Sequence, residues 1–122
     1  MRALNKSIGF YGETLAENYL KEMGYIILER NFKCKLGEID IIAKDNTHIC
    51  FIEVKTRYGS FYGNPSESVT SLKQYKIQRT AQSYILKKKL HKFNFRFDVI
   101  EIILNPLDDN YSVKLIKDAF WV

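Results

Sequence analysis

Hydrophobic and polar positions change period along this chain, and each change marks an element. Between residues 6 and 23 the apolar side chains Ile8, Leu15, Ala16, Tyr19, Leu20 and Met23 recur at helical spacing, and Gly24 supplies a stop. Gly9 and Gly12 lie on or beside that stripe, which predicts close packing of the helix on a sheet. From Tyr25 to Phe32 aromatic and β-branched residues dominate, the composition of a strand. A polar turn from Lys33 to Gly37 then leads into residues 37–57, which read as a hairpin with period two. Glu38 and Asp40 share one face of its first strand, with Ile39 and Ile41 pointing the other way. On its second strand Phe51, Glu53 and Lys55 lie opposite Ile52 and Val54. A two-residue loop at Asn46-Thr47 pairs Asp45 with His48, sets Asp40 opposite Glu53 and sets Glu38 opposite Lys55. A four-residue loop from Asp45 to His48 gives the same pairing.

The stretch Arg57-Tyr58-Gly59-Ser60-Phe61-Tyr62-Gly63-Asn64-Pro65 breaks the pattern. Its rings are open to two readings, stacking on unpaired bases or folding back as a satellite of the core. Ser71-Leu72-Lys73-Gln74 has capping-box form, and the helix it begins runs to about Leu90 with Ile77, Ala81, Tyr84 and Ile85 as its buried stripe. Phe93 to Leu104 reads as a strand, Asn105 to Asn110 as a turn, and Tyr111 to Ile116 as a short returning strand. Arg96 and Asp98 share a strand face and can pair. The order is α-β-β-β-α-β-β in a single domain over residues 1–122, without repeats, low-complexity tracts or linkers. That order fits an α/β fold, but taken alone it admits several arrangements.

Composition narrows the class. At 122 residues, 46% hydrophobic and 27% charged, the chain has the make-up of one soluble globular domain. No apolar run approaches the roughly 20 residues that cross a bilayer, and no apolar signal segment follows the N-terminus. A cytoplasmic protein with no membrane association is therefore expected. Two cysteines, Cys34 and Cys50, are then reduced thiols, and with two histidines, His48 and His91, they make a structural zinc site improbable. The net charge of +5 favours acidic partners, nucleic acid first.

The hairpin carries the candidate chemistry. Carboxylates directly opposed across a ladder repel, all the more in strands that are otherwise apolar. A divalent cation between Asp40 and Glu53 removes that penalty, and magnesium or manganese bound by one or two carboxylates keeps waters for chemistry. Lys55, two residues past Glu53 on the same face, is placed to steady an attacking water or a phosphate oxygen. Two carboxylates, a lysine and a metal suit phosphodiester hydrolysis. The bland alternative is the solvated face of an ordinary hairpin, which shows alternating charge too.

Gly37-Glu38-Ile39-Asp40-Ile41-Ile42 followed by Phe51-Ile52-Glu53-Val54-Lys55-Thr56-Arg57 resembles the signature of the YraN family of predicted endonucleases. That family lies within the PD-(D/E)xK superfamily, with restriction endonucleases and Holliday junction resolvases. The resemblance runs from the first helix to Asp118-Ala119-Phe120, and the proline that often precedes the first acid is missing. It implies a restriction-endonuclease-like core, a central mixed β-sheet flanked by helices. It also implies catalytic roles for Asp40, Glu53 and Lys55, with Glu38 supporting them, and metal binding through Asp40, Glu53 and the backbone carbonyl of Val54. The spacing Gly12-Glu13-x-x-Ala16-x-x-Tyr19-Leu20 resembles the family too, and makes Glu13 the outer acid carried on the first helix. Arg96-Phe97-Asp98-Val99 also resembles it, and implies at most a secondary, supporting site role.

The expected function is metal-dependent hydrolysis of DNA, on branched or processed substrates, with Mg²⁺ or Mn²⁺ as cofactor. Lys73, Lys76 and Lys87, with Arg79 a little further round, line up beside the buried stripe of the second helix. No acidic residue interrupts the chain from Lys73 to Lys92, the pattern of a phosphate-facing surface. Arg57 and Tyr58 are expected to join it. Two rival readings stand beside this one: a non-cleaving nucleic-acid-binding module with a nuclease fold, and a small protein-interaction domain that engages an acidic partner. Oligomeric state stays open, and a homodimer is compatible with everything above.

Overall fold

A meander of three antiparallel strands builds most of the sheet that holds the hairpin. The computed structural model describes residues 2–59 and 69–120, with side chains from Ile8 onward. Helix α1 (Arg2–Glu22) is followed by β1 (Ile26–Cys34), β2 (Gly37–Asp45) and β3 (His48–Tyr58). Helix α2 (Ser71–Lys88) then leads into β4 (Asn94–Leu104) and β5 (Tyr111–Ile116). The five strands lie in sequence order, and every neighbouring pair is antiparallel except β3 and β4, which are parallel. Parallel neighbours need a long crossover, and α2 supplies it. The fold is α/β, a mixed five-stranded sheet with a helix on each face, in the order expected.

The sheet divides the core in two. Ala16 and Leu20 of α1 pack on Ile41, Ala43, Cys50, Ile52, Ile100 and Ile102. On the other face Ile77, Ala81 and Tyr84 of α2 pack on Ile42, Ile49, Phe51, Phe97 and Val99. Cys34 packs against the second cluster and Cys50 belongs to the first, so the two thiols stand on opposite sides of the sheet and cannot pair. Of the predicted α1 stripe only Met23 faces solvent, because it lies past the last helical turn.

The predicted hairpin register holds along its apolar part. Asp45 pairs with His48 around Asn46, which adopts the left-handed conformation at φ 54°, and the ladder continues to Ile41 opposite Ile52. There it ends. Asp40 and Glu53 are not ladder partners, and Glu38 does not oppose Lys55; Glu38 pairs with Lys33 of β1 and lies 3.7 Å from its ammonium. Across from this point, in β1, Asn31 takes φ 55° between Arg30, paired with Ile41, and Phe32, paired with Ile39. Asparagine tolerates this conformation better than branched residues do. Across it Phe32 and its partner Ile39 turn under α2, while Ile41 stays under α1. Ile39 and Ile41, read from alternation as one face, are thus buried on opposite sides, and β2 leaves β3 at Asp40.

Two further details differ from expectation. The N-cap of α2 is Thr70, whose hydroxyl accepts from the Lys73 backbone N–H at 3.2 Å, so the cap stands one residue before Ser71. Gly12 alone of the two α1 glycines is required by packing. A Cβ there would fall 2.7 Å from Cβ and Cγ2 of Thr56, whereas one at Gly9 would meet nothing within 4 Å among the described residues.

Candidate active site

The gap opened where β2 leaves β3 gathers the charged residues of the hairpin. Asp40 and Glu53 are 9% and 7% exposed. Asp40 does not face Glu53 across a ladder; its Oδ2 accepts the Val54 backbone N–H at 2.8 Å, occupying the donor that a continued ladder would have used. Burial, reinforced by the neighbouring Glu53 carboxylate, pushes the Asp40 carboxyl up to about 7, against the pull of the Val54 N–H. The repulsion inferred from the sequence is therefore present, although the geometry that produces it is different.

Two lysines meet these carboxylates. The Lys55 amine, on β3, is held down at about 8 by burial and then by the neighbouring Lys73 ammonium. Lys73 reaches in from the first turn of α2, and its Nζ lies 2.7 Å from Glu53 Oε1. Burial works to lower Lys73, but its hydrogen bond to Glu53 and the nearby carboxylate charges outweigh that and the net shift is upward. Sequence reasoning had set Lys73 beside Lys76 and Lys87 on a phosphate-facing surface. In the structure the capping turn aims Lys73 at the end of the β2–β3 ladder, against Glu53.

Glu13, on α1, lines a cleft of about 410 Å³ together with Lys55, Arg57 and Tyr58. Burial raises its carboxyl, offset in part by Arg30, whose Nε stands 3.6 Å from Glu13 Oε1. Arg30 also donates to the Phe10 carbonyl at 3.1 Å and to Thr14 Oγ1 at 3.0 Å. It pins α1 to β1 and orients Glu13, a role that one arginine inside a strand pattern does not announce. A second cleft, about 380 Å³, opens on the α2 side between Glu38, Lys73 and Lys76. A larger cavity of about 530 Å³ lies away from the carboxylates, with Phe93, Phe95 and Phe97 in its wall, and has no part in this chemistry.

The remaining predicted residues fall into two groups. Lys76, Arg79 and Lys87 are exposed on α2; Arg79 sits 5.7 Å from the Tyr75 ring and donates to its hydroxyl at 3.2 Å. Tyr58 is exposed at the cleft mouth, whereas Arg57 is turned inward, 3.8 Å from the buried Glu101. Phe61 and Tyr62 of the aromatic loop lie outside the described residues. Arg96 and Asp98 do pair, at 2.9 Å, on the α1 face of the sheet, the face away from Glu53. There Arg96 also reaches Tyr25 and Asp45, and Asp98 accepts the Asp118 N–H at 2.8 Å. This is a structural brace rather than a supporting part of the site.

The family model described as uncharacterised protein family UPF0102 matches residues 12–102, from the α1 glycine through β4. The chain belongs to this family. A UPF0102 protein of Clostridium botulinum (strain Loch Maree / Type A3) is 68% identical over 123 residues, covering 100% of both chains. Another UPF0102 protein, from Clostridium tetani (strain Massachusetts / E88), is 65% identical over 120 residues, covering 98% of each. The UPF0102 match spans Glu13, Asp40, Glu53, Lys55 and Lys73 together. No helix among the described residues is long and apolar enough to cross a membrane.

Proposed function

We propose that this protein is a metal-dependent nuclease that hydrolyses phosphodiester bonds in DNA. One observation carries the reading: two buried carboxylates, Asp40 and Glu53, held close enough to raise one of them, with two lysines at the same point. The YraN-like signature around these residues, and through it the PD-(D/E)xK superfamily, supports the same assignment. Among the described residues no three His, Cys, Asp or Glu side chains converge on one point. Two carboxylates and the Val54 carbonyl make a sparse all-oxygen donor set, which fits magnesium or manganese with retained waters. When bound, such an ion supplies Lewis-acid polarisation of the phosphate and a more acidic water.

The chain's own residues then divide the work. Asp40 and Glu53, with the Val54 carbonyl, would hold the ion, and the Val54 N–H fixes the orientation of Asp40. Lys55 faces the cleft beside them, where it orients the attacking water or neutralises charge building on the phosphate. Glu13, braced by Arg30, stands across the cleft as an outer acid, and Glu38 borders the opposite opening. Exposed Lys76, Arg79 and Lys87 track the DNA backbone, with Tyr58 at the cleft mouth. Free thiols on opposite sheet faces fit a reducing, cytoplasmic compartment.

The test is cleavage of linear, flap and four-way-junction DNA with Mg²⁺ or Mn²⁺, wild type against Lys55→Met, which keeps the aliphatic stem and removes the ammonium. Loss of roughly 10²–10³-fold in rate is expected for one such group, with metal and DNA binding retained. A variant that cuts at the wild-type rate refutes the mechanism. Wild-type protein that binds DNA and cuts none of these substrates is instead a non-cleaving recognition module.

A further inference from the structure

The Lys73 ammonium occupies the place where a cation is wanted. Its Nζ lies 2.7 Å from Glu53 Oε1, and the Glu53 side chain is 8% exposed while that of Lys73 is 40% exposed. The carboxylate is thus fixed inside and its partner is free to leave. The backbone of Lys73 does not need to move, because its N–H is held by the Thr70 cap at the start of α2. Only the four-carbon stem has to swing, and the 380 Å³ cleft that Lys73 itself lines, beside Lys76, is open to receive it. A tethered ammonium pairs with the buried Glu53 carboxylate in the resting protein. A lysine has three rotatable donors on a flexible stem and gives up such a contact more readily than a bidentate arginine.

We propose that Lys73 is an exchangeable internal counter-cation: it neutralises Glu53 in the metal-free protein, competes with the divalent ion for that carboxylate, and once displaced turns to the phosphate of bound DNA. This rests on the metal-dependent reading above and adds a positioning residue that the Glu-x-Lys pattern does not contain. Metal affinity and phosphate contact are thereby coupled, because DNA that holds the released ammonium favours the metal-loaded arrangement. By reciprocity the metal strengthens DNA binding by the same factor.

The experiment measures Mn²⁺ binding to DNA-free protein by the electron paramagnetic resonance signal of free Mn²⁺, in wild type, Lys73→Met, Lys73→Gln and Lys73→Arg. Removal of the competitor makes Lys73→Met and Lys73→Gln bind Mn²⁺ about tenfold more tightly, a difference of about 1.4 kcal/mol. Lys73→Arg keeps the charge, grips Glu53 at least as firmly, and binds Mn²⁺ no more tightly than wild type. The same two neutral variants lose the DNA-induced gain in Mn²⁺ affinity that wild type shows with an uncleavable phosphorothioate duplex. Melting of each metal-free variant verifies folding, and glutamine, which can still hydrogen-bond to Glu53, serves if methionine does not fold. Wild type that binds Mn²⁺ while the neutral variants bind it equally or more weakly overturns the exchange and leaves the nuclease reading standing. If neither wild type nor the neutral variants bind Mn²⁺, the exchange and the metal site fall together.

Discussion

Replacing Asp40 by asparagine should stabilise the metal-free protein, in a way that depends on pH. In the fold the carboxyl is buried beside Glu53 and shifted from 3.8 to about 7, which corresponds to roughly 4 kcal/mol at about 1.4 kcal/mol per pH unit. The sign follows from linkage. A group whose folded value is raised contributes stability below its unfolded value, and that contribution is lost as pH rises through the folded one. Ionised Asp40 therefore weakens the fold progressively between about pH 4 and pH 7. Asparagine keeps an oxygen to accept the Val54 N–H and carries no charge, but Lys55 and Lys73 lose a neighbouring anion. About half of the total should survive, roughly 2 kcal/mol gained at pH 8. Urea unfolding in EDTA at several pH values from 4 to 8 measures the difference directly. The gain should shrink toward zero at pH 4, where the wild-type carboxyl is protonated. Added Mn²⁺ should reverse the order, because only the wild type gains from binding. A variant no more stable than wild type at pH 8, or a gain that does not fall on acidification, refutes the electrostatic account of this site.

Three other outcomes are expected. Gly12→Ala gains about 1 kcal/mol of helix propensity but drives a methyl into Thr56, an overpacking cost of about 1–3 kcal/mol; thermal melting should fall, and a rise contradicts the packing. Arg96→Met leaves the fully buried Asp98 without its cation and should cost about 3–5 kcal/mol in chemical denaturation; a loss under about 1 kcal/mol means the brace is dispensable. Substituting Lys76 and Lys87 together by alanine should reduce the salt dependence of DNA binding by about one per residue, and an unchanged slope reduces that face of α2 to ordinary solvation.

What the amino-acid pattern revealed and what it hid have a common physical origin. The Asp45–His48 pairing follows from a two-residue turn and strict alternation, both local, and it held from His48 up to Ile52. The α2 stripe was legible for the same reason. What was hidden depends on neighbours distant in sequence. The left-handed Asn31 sits in β1, a strand away in sequence, yet it lies across from the point where Asp40 leaves the ladder. Lys73 reads as surface on any helical projection, because the projection does not contain the strand end lying next to that turn. Arg30, which orients Glu13 from another element, leaves no local signal. Glu38 was assigned to Lys55 by extending a regular register beyond the point where the strands part.

The irregularity of β1 has a second effect, on the molecule's dealings with its own copies. As an outer strand, β1 has one edge unpaired among the described residues, and it shows Ile26 and Leu28 to solvent. A flat strand of that kind is a template for edge-to-edge aggregation. Here the register slips between Ile27 and Glu29, and Asn31 turns the backbone two residues later. An incoming strand would find only short runs of donors and acceptors in step before the spacing fails. The irregular backbone that lies across from Asp40 thus makes this rim of the sheet a poor seed for a fibril.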